Sequence, residues 1–203
     1  MQLIVGLGNP GAEYAATRHN VGYRVLDELA RRLGARFRRE TRPYALAEAG
    51  SAGEHLVLLK PLTFMNRSGQ ALRAWSAHTG HRVTGRPAEE EGLAPVVICD
   101  DLALPLGSLR IRSRGSAGGQ KGLASIIEVL GGQEFPRLRL GIAGGEGAIP
   151  PEQWSDYVLE PFTAGEEEVA ARLIVEAADA LEVLVREGPA AAAARCNRRV
   201  RPD

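Results

Sequence analysis

The chain opens on a short apolar run, Leu3-Ile4-Val5, closed by Gly6 and followed by the turn Asn9-Pro10-Gly11. A run of that length between breakers predicts a buried strand. Val21, Val25, Leu26, Leu29 and Leu33 then recur at helical spacing, and Gly34 follows. That pattern predicts an amphipathic helix over 21–33, with Asn20 as its N-cap and Gly34 as its C-terminal stop. Residues 35–48 and 54–60 read as two strands around the turn Gly-Ser-Ala-Gly-Glu. Leu62–Ser68 reads as a loop, Gly69–Thr79 as a helix, and the polar stretch 81–94 as a surface linker. Val96–Cys99 is a continuous apolar strand ending in Asp100-Asp101, and Ser108–Ser113 and Arg137–Ile142 alternate as half-exposed strands do. Between them, a Gly-rich turn feeds a helix over 122–131. A loop follows the last strand, then a long helix over Glu166–Glu187 with an acidic face and a short Ala-rich helix. Alternating strands and helices predict an α/β fold: a single domain over 1–203 with a twisted mixed central β-sheet flanked by helices. A chain of 203 residues is long enough for one sizeable core.

Composition narrows the setting. Cys99 and Cys196 lie far apart and match no zinc spacing, so a reducing compartment is expected. The first residues lack the basic region and long apolar core of a signal peptide. No apolar run reaches the ~18 residues a membrane helix needs, so a soluble, cytoplasmic protein is expected. Formal net charge is zero, yet the charges are segregated. Ser108–Arg139 holds six basic residues (Arg110, Arg112, Arg114, Lys121, Arg137, Arg139) and two acids, whereas Glu152–Glu187 holds ten acids and two bases. A neutral total therefore leaves room for a basic face suited to a phosphate-rich partner, or for scattered solvated charge.

Several chemistries fit poorly. Gly6-Leu7-Gly8-Asn9-Pro10-Gly11 matches the dinucleotide fingerprint in letters. However, Pro10-Gly11 makes a turn where the phosphate-binding helix should already run, and that helix begins only near Asn20. A serine-hydrolase elbow and a P-loop are both missing from the sequence. Cys99 closes a buried strand and reads as core, and His78-x-x-His81 has no further metal ligand beside it. His19 and Asp100 stand out because each sits where function collects: a loop entering a helix, and the carboxyl end of a buried strand. A histidine oriented by a carboxylate can take a proton from water near neutral pH. Equally, a histidine there can cap or pack, and the aspartate can form a turn.

Four stretches, GLGNPGAEYAATRHNVG, KPLTFMNRSG, CDDLALPLGSLRIRSRGSAGG and FPRLRLGI, in this order along nearly the whole chain, resemble the bacterial-type peptidyl-tRNA hydrolase family. The resemblance implies hydrolysis of the ester between a peptide and the 3′ ribose of tRNA, with no metal, cofactor or covalent intermediate. It implies His19 as catalytic base and Asp100 as its orienting carboxylate. Asn9 and Asn66 would bind substrate, with Tyr14, Asn20 and Met65 beside the site. Arg110, Arg112 and Arg139 would clamp acceptor-stem phosphates, and residues 143–158 would form a lid loop, followed by C-terminal helices over 164–199. The implied partner is the tRNA acceptor stem with its peptide, engaged by a monomer needing neither a membrane nor an obligatory protein partner. One departure is plain. Where the family commonly carries Gly-Gly-His-Asn-Gly-Leu, this chain has Gly118-Gly119-Gln120-Lys121-Gly122-Leu123. Lys121 thus replaces an asparagine expected to hold substrate and water. The alternatives kept open are a non-catalytic RNA-binding relative of the same fold and a dinucleotide-dependent oxidoreductase.

Overall fold

The computed structural model describes residues 1–39, 41–86, 92–145 and 149–197. Strand β1 (Gln2–Gly6) leads to helix α1 (Val21–Arg32), then to β2 (Arg38–Arg39), β3 (Tyr44–Ser51) and β4 (Glu54–Pro61). Helix α2 (Ser68–Thr79) precedes β5 (Val96–Pro105) and β6 (Leu109–Arg112). Helix α3 (Lys121–Leu130) precedes β7 (Arg137–Ala143), α4 (Trp154–Leu159) and α5 (Ala164–Cys196). Among the described residues the strands form one sheet of seven, in the order β2-β3-β4-β1-β5-β7-β6. β4, β1, β5 and β7 run parallel, while β2, β3 and β6 are antiparallel additions at the two sides.

Alternation along β1 divides the core. Ile4 packs with α1 and α5 on one face, and Leu3, Val5 and Leu7 pack with Leu72, Trp75, Leu123 and Ile126 of α2 and α3 on the other. From β1 the chain returns on one side as β4; from β4 it crosses to the other side as β5. The carboxyl ends of β1 and β5 therefore border a crevice at the point where the strand order diverges.

Four sequence expectations need correcting. Residues 35–48 do not form one strand: β2 and β3 are separate, and Pro43 lies between them with no N–H to give a ladder. The strand expected over 96–99 runs on to Pro105, so Asp100 and Asp101 lie inside it, paired in register with Leu140 and Gly141 of β7. Asn20 forms no side-chain cap on α1. Of the expected lid over 143–158, residues 146–148 lie outside the described residues, and 154–159 is helical rather than loop. The C-terminal expectation of a long helix followed by a short one matches a break inside α5 at Gly188, at φ 85°, just before Pro189. Residues 198 and 199, also expected to be helical, lie outside the described residues, as do 87–91 of the linker. Both ends of that linker are pinned, Thr84 to Leu93 and Gly85 to Leu130, by backbone hydrogen bonds.

Helix α1 meets the sheet through Gly22. A Cβ there would stand 2.6 Å from the Leu7 carbonyl oxygen and 2.8 Å from that of Ile98. Glycine is what lets the first turn of α1 lie directly on the end of β1 and on the backbone of β5 at Ile98. Gly22→Ala is expected to lower the urea midpoint of unfolding, by about 1–3 kcal/mol for overpacking against backbone. Gly50→Ala, with nothing within 4 Å of the added Cβ, should leave it nearly unchanged.

Candidate active site

The segment before α1 makes a single 3₁₀ turn over Arg18–Asn20, and its three side chains diverge. The Asn20 amide spans the Asn9 backbone, accepting from its N–H at 2.8 Å and donating to its carbonyl at 2.9 Å. So Asn20, expected beside substrate, is buried and spent on holding the first loop. Asn9 in turn accepts from the Met65 N–H through Oδ1 at 2.7 Å, which fixes its side chain and leaves Nδ2 with no hydrogen bond among the described residues. Asn9, Met65 and Asn66 come together this way from two distant turns. Asn66 is exposed and its side chain makes no hydrogen bond within the described residues; helix α2 begins after Arg67 without a side-chain cap.

His19 points across the crevice to β5. Its Nδ1 lies 2.9 Å from Oδ2 of Asp100, both side chains being largely buried. A carboxylate there holds the proton on Nδ1 and leaves Nε2 as the acceptor. The other carboxylate oxygen of Asp100 accepts from Nε2 of Gln120 at 3.0 Å. The same Gln120 amide accepts from the Leu123 N–H at 2.6 Å as the cap of α3, and touches the Met65 sulfur at 3.3 Å. One neutral side chain thus ties the start of α3 to the carboxylate that orients His19. Sequence reading passed over Gln120. The signal available was its place one residue before an apolar helical run, muted because glutamine is an uncommon N-cap.

Arg18 turns the opposite way. It is 3% exposed, stacks 4.1 Å from the Tyr157 ring centroid and donates to the Glu166 carboxylate at 2.7 Å. Burial alone would raise the Glu166 pKa, but the hydrogen bonds at Thr163 and the Arg18 charge outweigh it and hold the carboxyl below its ordinary value.

The four arginines of β6 and β7 form a block on one face, with Arg110 opposite Arg139 and Arg112 opposite Arg137. They behave differently. Arg137, 1% exposed, donates to the carbonyls of Gly115, Ser116, Gln133 and Phe135. Arg139 pairs with Asp101 at 2.9 Å and donates to the carbonyls of Ser116 and Ala117. Both thereby brace the 115–117 turn, whereas Arg110 and Arg112 are exposed and make no ion pair with the described residues.

These parts enclose a cavity of about 390 Å³. Asn9, His19, Met65, Asn66, Asp100, Lys121 and Arg139 all contribute to its lining, with Phe64, Leu102, Trp154 and Val158 as apolar wall. Tyr14 stands behind Phe64, edge-on at 6.5 Å, while Arg110 and Arg112 lie on the strand beyond Arg139. Lys121 is the first residue of α3 and is exposed, with no ion pair among the described residues. The Gly6–Gly11 loop leads only to single 3₁₀ turns over Ala12–Tyr14 and Arg18–Asn20 before α1, so no α-helix N-terminus stands behind it for a pyrophosphate. Among the described residues no cluster of three or more His, Cys, Asp or Glu could hold a metal ion, and His81 stacks on Trp75.

Two outcomes follow from this geometry. The His19 Nδ1 proton should give a slowly exchanging downfield NMR resonance that Asp100→Asn removes and Gln120→Leu broadens. Burial, with the Asp100 charge adding to it, pushes the Cys99 thiol up to about 12. Iodoacetamide at pH 8 should therefore leave Cys99 unlabelled in the native protein and label it after unfolding.

The sequence pattern that defines the family described as peptidyl-tRNA hydrolase matches residues 3–203. A peptidyl-tRNA hydrolase of Chloroflexus aggregans is 46% identical over 200 residues, covering 97% of this chain and 99% of the relative. One of Chloroflexus aurantiacus is 48% identical over 197 residues, with the same coverage of 97% and 99%. The crystal structure of peptidyl-tRNA hydrolase from Acinetobacter baumannii superposes with a TM-score of 0.83 at 31% identity, covering 97% of this chain and 94% of that one. A match of that length, in sequence and in fold together, assigns the chain: it belongs to the peptidyl-tRNA hydrolase family and is a hydrolase of the ester bond of peptidyl-tRNA.

Proposed function

We propose that His19 is the general base of this hydrolysis and Asp100 the group that orients it. The observation carrying this reading is the 2.9 Å contact between His19 Nδ1 and Asp100, which leaves Nε2 free at a cavity wall. Nε2 takes a proton from water as the water oxygen attacks the ester carbonyl carbon. The carbonyl electron pair moves to its oxygen, where the side-chain amides of Asn9 and Asn66 donate to the developing oxyanion. Collapse of the intermediate breaks the bond to the ribose 3′ oxygen, which takes the proton back from the imidazolium. The products are a tRNA with a free 3′ hydroxyl and a peptide carboxylic acid, which loses its proton to solvent. Amides that donate to a carbonyl read the peptide backbone and not its side chains. That indifference suits a substrate of arbitrary sequence, shed from stalled ribosomes and recycled for its tRNA in the cytoplasm. The same reading takes the working unit to be a monomer.

For the RNA, Arg110 and Arg112 supply the exposed cations on β6, and Lys121 adds one beside the cavity. A cation in the first turn of a helix opposes the helix dipole, at a cost of about 0.3–1 kcal/mol that a bound phosphate removes. Arg139 contributes first to structure, through Asp101 and the 115–117 turn, and to phosphate binding second.

His19→Ala should lower kcat by roughly 10²–10⁴ while tRNA binding stays intact, measured as release of labelled peptide from N-blocked aminoacyl-tRNA with EDTA present. A variant keeping more than about a tenth of wild-type kcat would remove His19 as the base. Arg110→Ala and Arg112→Ala should each reduce the slope of log Kd against log salt by about 1, at unchanged thermal stability. Arg139→Ala should instead lower the melting temperature as well.

A further inference from the structure

Two exposed large aromatics line the cavity without a part in the hydrolysis or the phosphate contacts, Phe64, which packs edge-on against Tyr14, and Trp154, whose ring is held by its own hydrogen bond. The chain has two tryptophans, and they are opposites: Trp75 is sealed in the core at 1% exposure, while Trp154 stands at the cavity wall at 39%. Its position is built. Trp154 opens α4, one helical turn before Val158, which is buried in the core, so the helix delivers the indole to the cavity side. The indole N–H donates to the Ile149 carbonyl at 2.8 Å, which fixes the rotation of the ring. Its other edge lies over Gly119, where an added Cβ would stand 3.5 Å from Cζ3. Gly119 sits at φ 85°, a conformation that favours glycine, so no side chain covers the ring from that turn.

Two cations share this cavity with the ring, Arg139, which is paired with Asp101, and Lys121, unpaired among the described residues. Gly118 in the same turn lies against the Arg139 guanidinium, and Lys121 begins the helix two residues after Gly119. A nucleotide brings an aromatic base and a phosphate together, and so matches a ring flanked by cations. A blocked peptide of arbitrary sequence brings neither regularly. We infer that Trp154 is a stacking platform for a nucleobase of the unpaired 3′ end of the tRNA, a specificity-determining contact that rests on the function proposed above. Stacking suits this task because single-stranded ends present their base faces, and an aromatic side chain takes them with little regard to sequence. It would hold the strand between the β6 arginines and the reacting ester, so that the ester arrives at His19 in register.

The buried Trp75 supplies a constant background for a fluorescence test. Wild-type protein is titrated with a minihelix RNA ending in unpaired CCA, with the same duplex cut blunt, and with an N-acetylated apolar dipeptide. Quenching by the CCA minihelix alone is expected. Quenching by the dipeptide but not by the minihelix, or equal quenching by the blunt duplex, overturns the proposal. In parallel, Trp154→Ala, Trp154→Leu and Trp154→Phe are assayed on N-blocked aminoacyl-tRNA, with melting temperatures recorded. The Ala and Leu variants should lose roughly ten- to a hundredfold in kcat/KM, and Phe should recover most of it. Leu performing as well as Phe means the site needs only an apolar filler, and wild-type kcat/KM in the Ala variant means no stacking contact; either overturns the platform. The proposed function fails separately, by absence of hydrolysis in the wild-type protein.

Discussion

The distance between two glycine backbones governs this molecule. The first turn of α1 rests on β1 and β5 with no side chain between: a Cβ on Gly6 would meet the Gly22 carbonyl at 2.5 Å, and one on Gly22 would meet the backbone of Leu7 and Ile98. Because α1 begins one residue after Asn20, its seating also sets where the preceding turn lies. His19 reaches Asp100 at hydrogen-bonding distance only if the helix lies this close. A larger residue at either glycine would push the histidine away from the Asp100 carboxylate.

A second layer of order surrounds the first, and it is electrostatic. Asp100 and Asp101 are adjacent on β5, project to opposite faces and hold different partners. Asp100 takes His19 and Gln120; Asp101 takes Arg139 and the Ala103 N–H. Two buried carboxylates side by side would repel strongly if left bare. Here each is bound by a donor that also braces a loop of the site, so the cost of burying charge is offset by the same contacts that shape the cavity. The basic edge is accordingly narrower than six positive residues in a row suggest, because Arg137 and Arg139 face inward to carbonyls.

Much of this was legible in the sequence. Apolar periodicity located β1, α1, α2 and α5, and the sequence singled out His19 and Asp100, whose side chains the fold brings within hydrogen-bonding distance although Asp100 lies inside β5 and not at its end. Other features were hidden for physical reasons. Gly22 within a helical pattern reads only as a weak helix former, since close approach is a property of the partner surface. Arg137 sits in an alternating strand and reads as solvent-facing, because nothing in the strand reveals the turn that covers it. Asn20 has the chemistry of a cap and the position of one, but the Asn9 backbone offered its amide two bonds where the helix N-terminus offered one. Helix α4 is six residues long, too short for periodicity to distinguish from loop.

The tripeptide Arg18-His19-Asn20 shows what such economy implies for experiment. Three consecutive side chains leave one turn toward three separate parts: α4 and α5 through Tyr157 and Glu166, β5 through Asp100, and the first loop through the Asn9 backbone. The turn is a junction at which chemistry and assembly share a few ångströms of chain. An alanine scan through it would return three impaired proteins for three unrelated reasons, and activity alone would rank them together. The middle side chain is the proposed base, and melting temperatures read beside rates would separate a loss of chemistry from a loss of scaffolding.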